Sequence, residues 1–330
     1  MEETINYLGS LYATNFCELG LGVSYVKGYA SPLGNTYLYN LKFISQYNKK
    51  WLQSLLEKIS IFHHIKFKFI ETTEAHFGIM QPKTNYTLSL TNLLALNNFD
   101  KIVIGVDANG KDLTLDFNKI PHLLIAGTTG AGKSVLLMNL LINLYGFYGK
   151  NRFKKGKFVI IDPKGTEFEE FKGLYNTTII DNTQQAITTL GDIVNEMERR
   201  YKDRFYVYHD LYVIIDELAD LMLTSRFEIE EYLVRLAQKS RAVNIHLIVA
   251  TQSPRVSVVS GLIKANFPYR IALKTASSRD SVVIMDKGGC EELNVGEAFF
   301  KNGIDTRLFR IAYPENELLQ KCVQANKVKL

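Results

Sequence analysis

Residues 127–134 of this chain are Gly127, Thr128, Thr129, Gly130, Ala131, Gly132, Lys133 and Ser134. They fit the spacing G-x-x-x-x-G-K-[ST], and each residue type has a task in it. The glycines let successive backbone N–H groups turn inward around phosphate oxygens. A helix starting at the lysine adds the positive end of its dipole. The Lys133 ammonium then reaches the β- and γ-phosphates, and the Ser134 hydroxyl can ligate Mg²⁺. The expected ligands are ATP and Mg²⁺. At ordinary residue usage the fixed positions match by chance roughly 1% of the time in a chain this long, so context decides. Here the motif follows an apolar strand-like run and opens a helical one.

A second constellation is Asp216-Glu217, directly after Leu211–Ile215. A carboxylate at a strand's closing edge beside a phosphate loop can hold a Mg²⁺-bound water. Asp216 is therefore the expected metal-side residue, with Ser134, and Glu217 the expected general base. The plain alternative is an exposed acidic pair opening a helix, favoured by the dipole. A phosphate loop in the same sheet favours the active-site reading. Asp162 and Thr251-Gln252 end two further strand-like runs. Gln252 at such an edge suits sensing of a γ-phosphate, while Asp162-Pro163 equally suits a turn.

These groups need a scaffold that brings several strand ends together. The runs Leu123–Ala126, Phe158–Ile161, Tyr212–Ile215 and Leu247–Ala250 are continuously apolar, as strands buried on both faces of a parallel sheet must be. Helical segments are expected between them, at 133–146, 185–204 and 228–240. The rhythm predicts an α/β fold, a mainly parallel sheet with helices on both sides. Before residue 115 the rhythm is absent. Trp51, Leu52, Leu55, Leu56 and Ile59 predict a helix within 46–60. Ile65, Phe67 and Phe69 alternate with Lys66 and Lys68 as in a half-buried strand. Strands at 101–107 and 111–117 flank Asn109-Gly110, a favourable hairpin turn. The chain is thus expected to hold a small α+β domain at 1–112 and a nucleotide-binding domain at 113–330.

Composition narrows the classes. The chain has 330 residues, 46% of them hydrophobic, and a net charge of +5. That is ample for packed cores, and its mild basicity allows nucleic acid without demanding it. No stretch approaches the ~18 apolar residues of a membrane span. Cys17, Cys290 and Cys322 are scattered, which fits a reducing cytoplasm and argues against a cysteine zinc site. His63, His64 and His76 fit no standard metal spacing and are expected as satisfied or surface histidines. The basic run Lys150, Arg152, Lys154, Lys155 and Lys157 is expected to be a solvated connection, with an auxiliary DNA contact as the alternative.

Longer stretches resemble the motor of the FtsK/SpoIIIE family of DNA translocases. Pro121–Gly130 leads into the phosphate loop, and Ile161-Asp162-Pro163-Lys164 and Asn195–Tyr201 follow. Ile215–Met222, Arg235–Ala242 and Ile245–Gln252, continued by Gly261–Asn266, complete the match. The resemblance covers residues ~100 to 312. It implies a RecA-like ATPase that forms a ring, usually a hexamer, around double-stranded DNA, with ATP between subunits. Arg241 occupies the position of the family's trans-acting arginine finger; by pattern alone it is the basic end of an amphipathic helix. Arg235 is expected to be an ordinary ion-pairing residue. The family reads DNA through two loops, here at Thr251–Lys264 and Thr275–Ser281. Lys264 matches a DNA-contacting lysine, and Thr251, Arg279 and Ser281 match or neighbour other contact positions.

The departures also shape the expectation. The family's usual arginine after Thr-Gln is Ser253, with Arg255 two residues later, and the second loop has Ser278 and Arg279 for a lysine and an apolar residue. Basic charge is kept but displaced. The family's membrane domain and C-terminal winged-helix reader have no counterpart, and the N-terminal domain is expected to act as a collar or to dock a protein. The reading is a cytoplasmic, ATP-driven DNA motor serving a plasmid or mobile element. Its alternatives are a protein-secretion ATPase, a conjugative coupling ATPase moving single-stranded DNA, and a regulatory ATP-binding protein.

Overall fold

The computed structural model describes residues 2–30, 34–43, 48–63, 67–70, 75–82, 88–97, 101–107, 110–150, 156–203, 208–303 and 305–327. They form two compact units: Met1–Thr87 with Val106–Lys111, and Leu88–Gly105 with Asp112–Leu330. The described residues 88–97 and 101–105 thus belong to the second unit, although the sequence places them before the expected boundary at 112. Ile65, Lys66, His64, Asn109, Arg152, Lys154 and Lys155, named above, lie outside the described residues.

The first unit contains α1 (Glu2–Glu18), β1 (Val23–Ala30), β2 (Gly34–Leu41), α2 (Lys49–His63), β3 (Lys68–Ile70) and β4 (Phe77–Pro82). Its strands make an antiparallel sheet in the order β1-β2-β4-β3. Alternation selects the buried face: Tyr37, Tyr39 and Leu41 of β2 join Phe77 and Ile79 of β4. Against them pack Tyr12 and Phe16 of α1 and Leu52, Leu55, Leu56 and Ile59 of α2. Gly9 in α1 is required by close approach, since a Cβ there would meet the Tyr25 ring at 2.2 Å. The two described histidines of this unit have partners: His63 Nε2 lies 2.8 Å from Asn15 Oδ1, and His76 Nδ1 accepts the Leu41 N–H at 3.0 Å.

The second unit opens with β5 (Leu88–Ser89), α3 (Leu90–Asn97), β6 (Ile102–Asp107) and β7 (Asp112–Leu115). Then come β8 (His122–Ala126), α4 (Lys133–Lys150), β9 (Lys157–Ile161), β10 (Thr177–Ile180), α5 (Thr183–Lys202), β11 (Leu211–Ile215), α6 (Leu218–Lys239) and β12 (Ile245–Thr251). The unit ends with α7 (Gly261–Asn266), β13 (Tyr269–Ala272), α8 (Ser278–Met285), β14 (Glu297–Asn302), β15 (Asp305–Tyr313) and α9 (Asn316–Asn326). Among the described residues these strands form an 11-stranded sheet, ordered β10-β9-β11-β12-β8-β13-β14-β15-β6-β7 with β5 on β15. From β10 to β13 all neighbours are parallel. β14 and β15 extend the sheet antiparallel.

The continuous apolar runs are explained by burial on both faces: β8, β11 and β12 are buried at every residue. Leu124, Val213, Leu247 and Val249 face α5 and α6 in one core. On the other face Tyr145 of α4 packs on Phe158 with ring centroids 4.3 Å apart. Two buried asparagines stitch α4 to strand backbones. Asn139 Nδ2 donates to Ala312 O at 2.9 Å, and Asn143 exchanges hydrogen bonds with the Val103 backbone at 3.0 and 3.1 Å. Buried amides so satisfied make the helix register specific.

Candidate active site

The strand order assembles the site. β12 lies between β8, which feeds the phosphate loop, and β11, which feeds the acidic pair. All three run parallel, so residues 127–134, 216–217 and 251–252 leave the sheet at the same edge. Ligands in open parallel sheets bind at that edge.

Gly130 and Gly132 have φ of +76° and +106°, the left-handed conformation that turns peptide N–H groups inward. Gly127 is fixed for another reason, because a Cβ there would meet Leu273 Cβ at 2.7 Å. The loop is tied down on both sides. The Gly127 N–H donates to Thr251 O at 3.2 Å, and the Thr128 N–H donates to Lys274 O at 2.9 Å. Lys133 opens α4 and is 4% exposed. Its ammonium donates to Asp216 O at 2.9 Å and bonds the Asp216 carboxylate. Burial raises the Asp216 pKa, and the Lys133 charge partly counters that rise. Ser134 is half-buried on the first turn of α4.

Glu217 is 3% exposed and caps α6. Its Oε1 accepts the Ala219 N–H at 3.1 Å and the Thr251 hydroxyl at 2.8 Å, and its Oε2 accepts the Gln252 N–H at 2.9 Å. The Gln252 side chain accepts the Thr129 hydroxyl at 2.7 Å. The end of β12 therefore touches both the phosphate loop and the expected base. Asp162 does something different: its carboxylate accepts the N–H groups of Lys164, Gly165 and Glu167 at 3.0–3.2 Å, which shapes the loop after β9.

Of the remaining candidates, only Thr251 touches this cluster. Arg241 is exposed in the turn Ser240–Val243 that precedes β12, and its guanidinium donates to Asn118 O at 3.1 Å. Both residues lie at the opening end of the strands, so the length of β8 separates Arg241 from its own phosphate loop, ~16 Å at 3.3 Å per residue. Arg235 pairs with Glu198 at 3.0 Å, as an ordinary ion pair. Arg255 and Arg279 are exposed in the two connections that leave the closing edge. Thr251 and Ser281 were expected at DNA, but the structure gives both hydroxyls internal partners. Thr251 is fully buried on Glu217, and Ser281 donates to Lys287 O at 2.9 Å and accepts the Cys290 N–H at 3.0 Å. Packing behind the loops, invisible in a linear pattern, turned them inward.

Lys264 has a partner the sequence did not signal. Asp286, at φ +62° after α8, binds Lys264, Arg270 and Lys301 at 2.7, 2.7 and 2.6 Å. Burial alone would raise the Asp286 pKa, but hydrogen bonds from Lys264, Lys301 and Arg270 outweigh it and hold the group below its usual 3.8. A depressed carboxylate contributes stability that is present above the unfolded-state pKa and lost as pH falls through the folded one. Asp286→Asn is therefore expected to lower Tm at pH 7, with the gap to the parent closing below about pH 4. Thermal melts across pH check this; a gap that does not shrink as pH falls below about 4 would show that the charge is not its source.

The parallel sheet, the phosphate loop and the acidic pair at one edge define a P-loop ATPase. The FtsK/SpoIIIE family profile matches residues 98–208 and 204–256. The chain is 41% identical over 243 residues to DNA translocase FtsK of Chlorobaculum tepidum, covering 64% of this chain and 30% of that protein. It is 43% identical over 213 residues to DNA translocase FtsK of Campylobacter jejuni, covering 58% of this chain and 22% of that protein. The chain thus spans under a third of the length of these relatives. In fold it is similar to the pCW3 conjugation coupling protein TcpA, solved in monomer form with ATPγS. That match has a TM-score of 0.66 at 22% identity, over 97% of this chain and 99% of that one. The cytoplasmic domain of the type VII secretion ATPase EccC of Thermomonospora curvata matches with a TM-score of 0.64 at 24% identity, over 74% of this chain and 35% of that one. The likeness to the FtsK/SpoIIIE family is carried by residues 98–256, mostly within this ATPase unit. Among the described residues no helix is long and apolar enough to cross a membrane.

Proposed function

We propose that this chain hydrolyses ATP to move along double-stranded DNA, acting as a homo-oligomeric ring in which ATP lies between subunits. The observation that carries the reading is the division of the chemistry between two edges of one sheet. Lys133, Asp216, Glu217 and Gln252 meet at the closing edge, while Arg241 is exposed at the opening edge. A site built at one edge and a guanidinium at the other favour completion of each site by a neighbour.

The residues fit their ligands. Residues 127–134 would hold the phosphates on inward-turned N–H groups, with the Lys133 ammonium exchanging Asp216 for phosphate oxygen. Ser134 and Asp216 would hold Mg²⁺, which supplies charge neutralisation on the phosphates when bound. Glu217 would take the proton of the attacking water. Gln252, bonded to Thr129, would report the γ-phosphate to the connection that carries Arg255. Arg255, Arg279 and Lys264 would meet DNA phosphates, a contact without sequence preference and sensitive to salt. Lys264 would do so by exchanging Asp286 for phosphate.

The test is ATP turnover with and without duplex DNA across a salt series. Stimulation by duplex that fades as salt rises is expected. Lack of stimulation by either duplex or single strands would sink the DNA reading. Stimulation by an exported polypeptide instead would favour the secretion alternative.

A further inference from the structure

Thr251 is the most connected residue between the phosphate loop and the expected base. Its carbonyl accepts the Gly127 N–H at 3.2 Å. Its hydroxyl donates to Glu217 Oε1 at 2.8 Å and accepts the Ser253 N–H at 3.1 Å. The next N–H, of Gln252, donates to Glu217 Oε2 at 2.9 Å. The side chain has no exposure, so the hydroxyl cannot serve a ligand outside the protein.

The chemistry of Glu217 makes this arrangement consequential. A carboxylate offers about four lone-pair positions. Donors from Ala219, Thr251 and Gln252 occupy most of them and fix where both carboxylate oxygens point. A general base works by accepting a proton, so a carboxylate bound in this way is restrained from acting. Two of those donors sit where β12 ends and the connection 253–260 begins. Ser253, which fixes the Thr251 hydroxyl, is the first residue of that connection. A displacement of the connection moves the Thr251 and Gln252 donors, and with them the restraint on Glu217.

From this geometry we infer that Thr251 is a positioning residue that holds the Glu217 carboxylate against β12, and that the connection 253–260 sets hydrolysis by drawing the Thr251 and Gln252 donors away. The inference rests on the ATPase reading above. It assigns Thr251 an inward role in place of a DNA contact.

The experiment compares Thr251→Val, which keeps shape and removes the hydroxyl, with Thr251→Ser, which keeps the hydroxyl. Steady-state ATP turnover is measured without DNA across a range of ATP concentrations. Thr251→Val is expected to raise DNA-free turnover about tenfold, the factor one charge-assisted hydrogen bond is worth. The gain should fall on kcat, with KM for ATP close to that of the parent, because the backbone bond to Gly127 is kept. Thr251→Ser should return kcat to the parent value. Turnover that is equal or lower in Thr251→Val, or a gain confined to KM, overturns the inference. So does a change confined to DNA affinity. Thr251→Ala is run beside it with thermal melts, so that a folding defect in one variant does not stand for the result. An absence of ATP turnover in the parent protein would instead count against the ATPase reading itself.

Discussion

Glu217→Gln is expected to bind ATP and to lose turnover by roughly 10²–10⁴-fold, the usual contribution of a positioned base. The amide keeps the size of the carboxylate but cannot take a proton at neutral pH. The phosphate loop is untouched, since Lys133 bonds Asp216 and not Glu217. Affinity, followed with a fluorescent ATP analogue, should therefore stay close to that of the parent. The structure adds a second expectation. Glu217 Oε1 and Oε2 both accept, from Thr251 and from Gln252. An amide nitrogen in place of either oxygen faces a donor, a mismatch costing about 1–3 kcal/mol when buried. The variant should melt at a lower temperature and regain part of that loss with ATP bound. Normal phosphate release would remove Glu217 from the role of base.

Arg241→Ala is expected to cost turnover about 10³–10⁵-fold, the range that trans-acting arginines supply in related phosphoryl transfers. The same protein should keep its fold, because the guanidinium is exposed and its hydrogen bond to Asn118 O is a surface one. The decisive form of the experiment is mixing. Lys133→Ala subunits lack the phosphate contact and Arg241→Ala subunits lack the finger, so each is inactive alone. In a mixed ring some interfaces join an intact Lys133 to an intact Arg241 from the neighbour. Recovered ATPase activity is expected there, greatest near equal ratios. No recovery in mixtures shown to co-assemble would remove Arg241 from a shared site.

What could be read without coordinates follows from the range of the physics involved. The phosphate loop is local: a run of glycines, a lysine and a serine have their roles because of neighbours within a few residues, and φ values of +76° and +106° at Gly130 and Gly132 bear that out. Strands buried on both faces show as continuous apolar runs, so β8, β9, β11 and β12 were legible. In the first unit α2 was legible from its apolar spacing. α1, β1, β2 and β4 were not, because Tyr37, Tyr39 and Phe77 gain meaning only when a helix covers that face.

The sequence by itself determined which residues are candidates for the chemistry, since Lys133, Asp216, Glu217 and Gln252 are named by type and by position at strand ends. Only the tertiary structure decided how they face one another. Strand order is a long-range outcome, and placing β12 between β8 and β11 is what joins Thr251 and Gln252 to Glu217. The same order turned Thr251 inward, while the turn after α8 gave Ser281 and Lys264 their partners. A hydroxyl or an ammonium looks the same in a sequence whether it meets solvent or a carboxylate within the fold. The packing around it makes that choice, because a buried polar group must find a partner within hydrogen-bond reach and the fold decides which group that is.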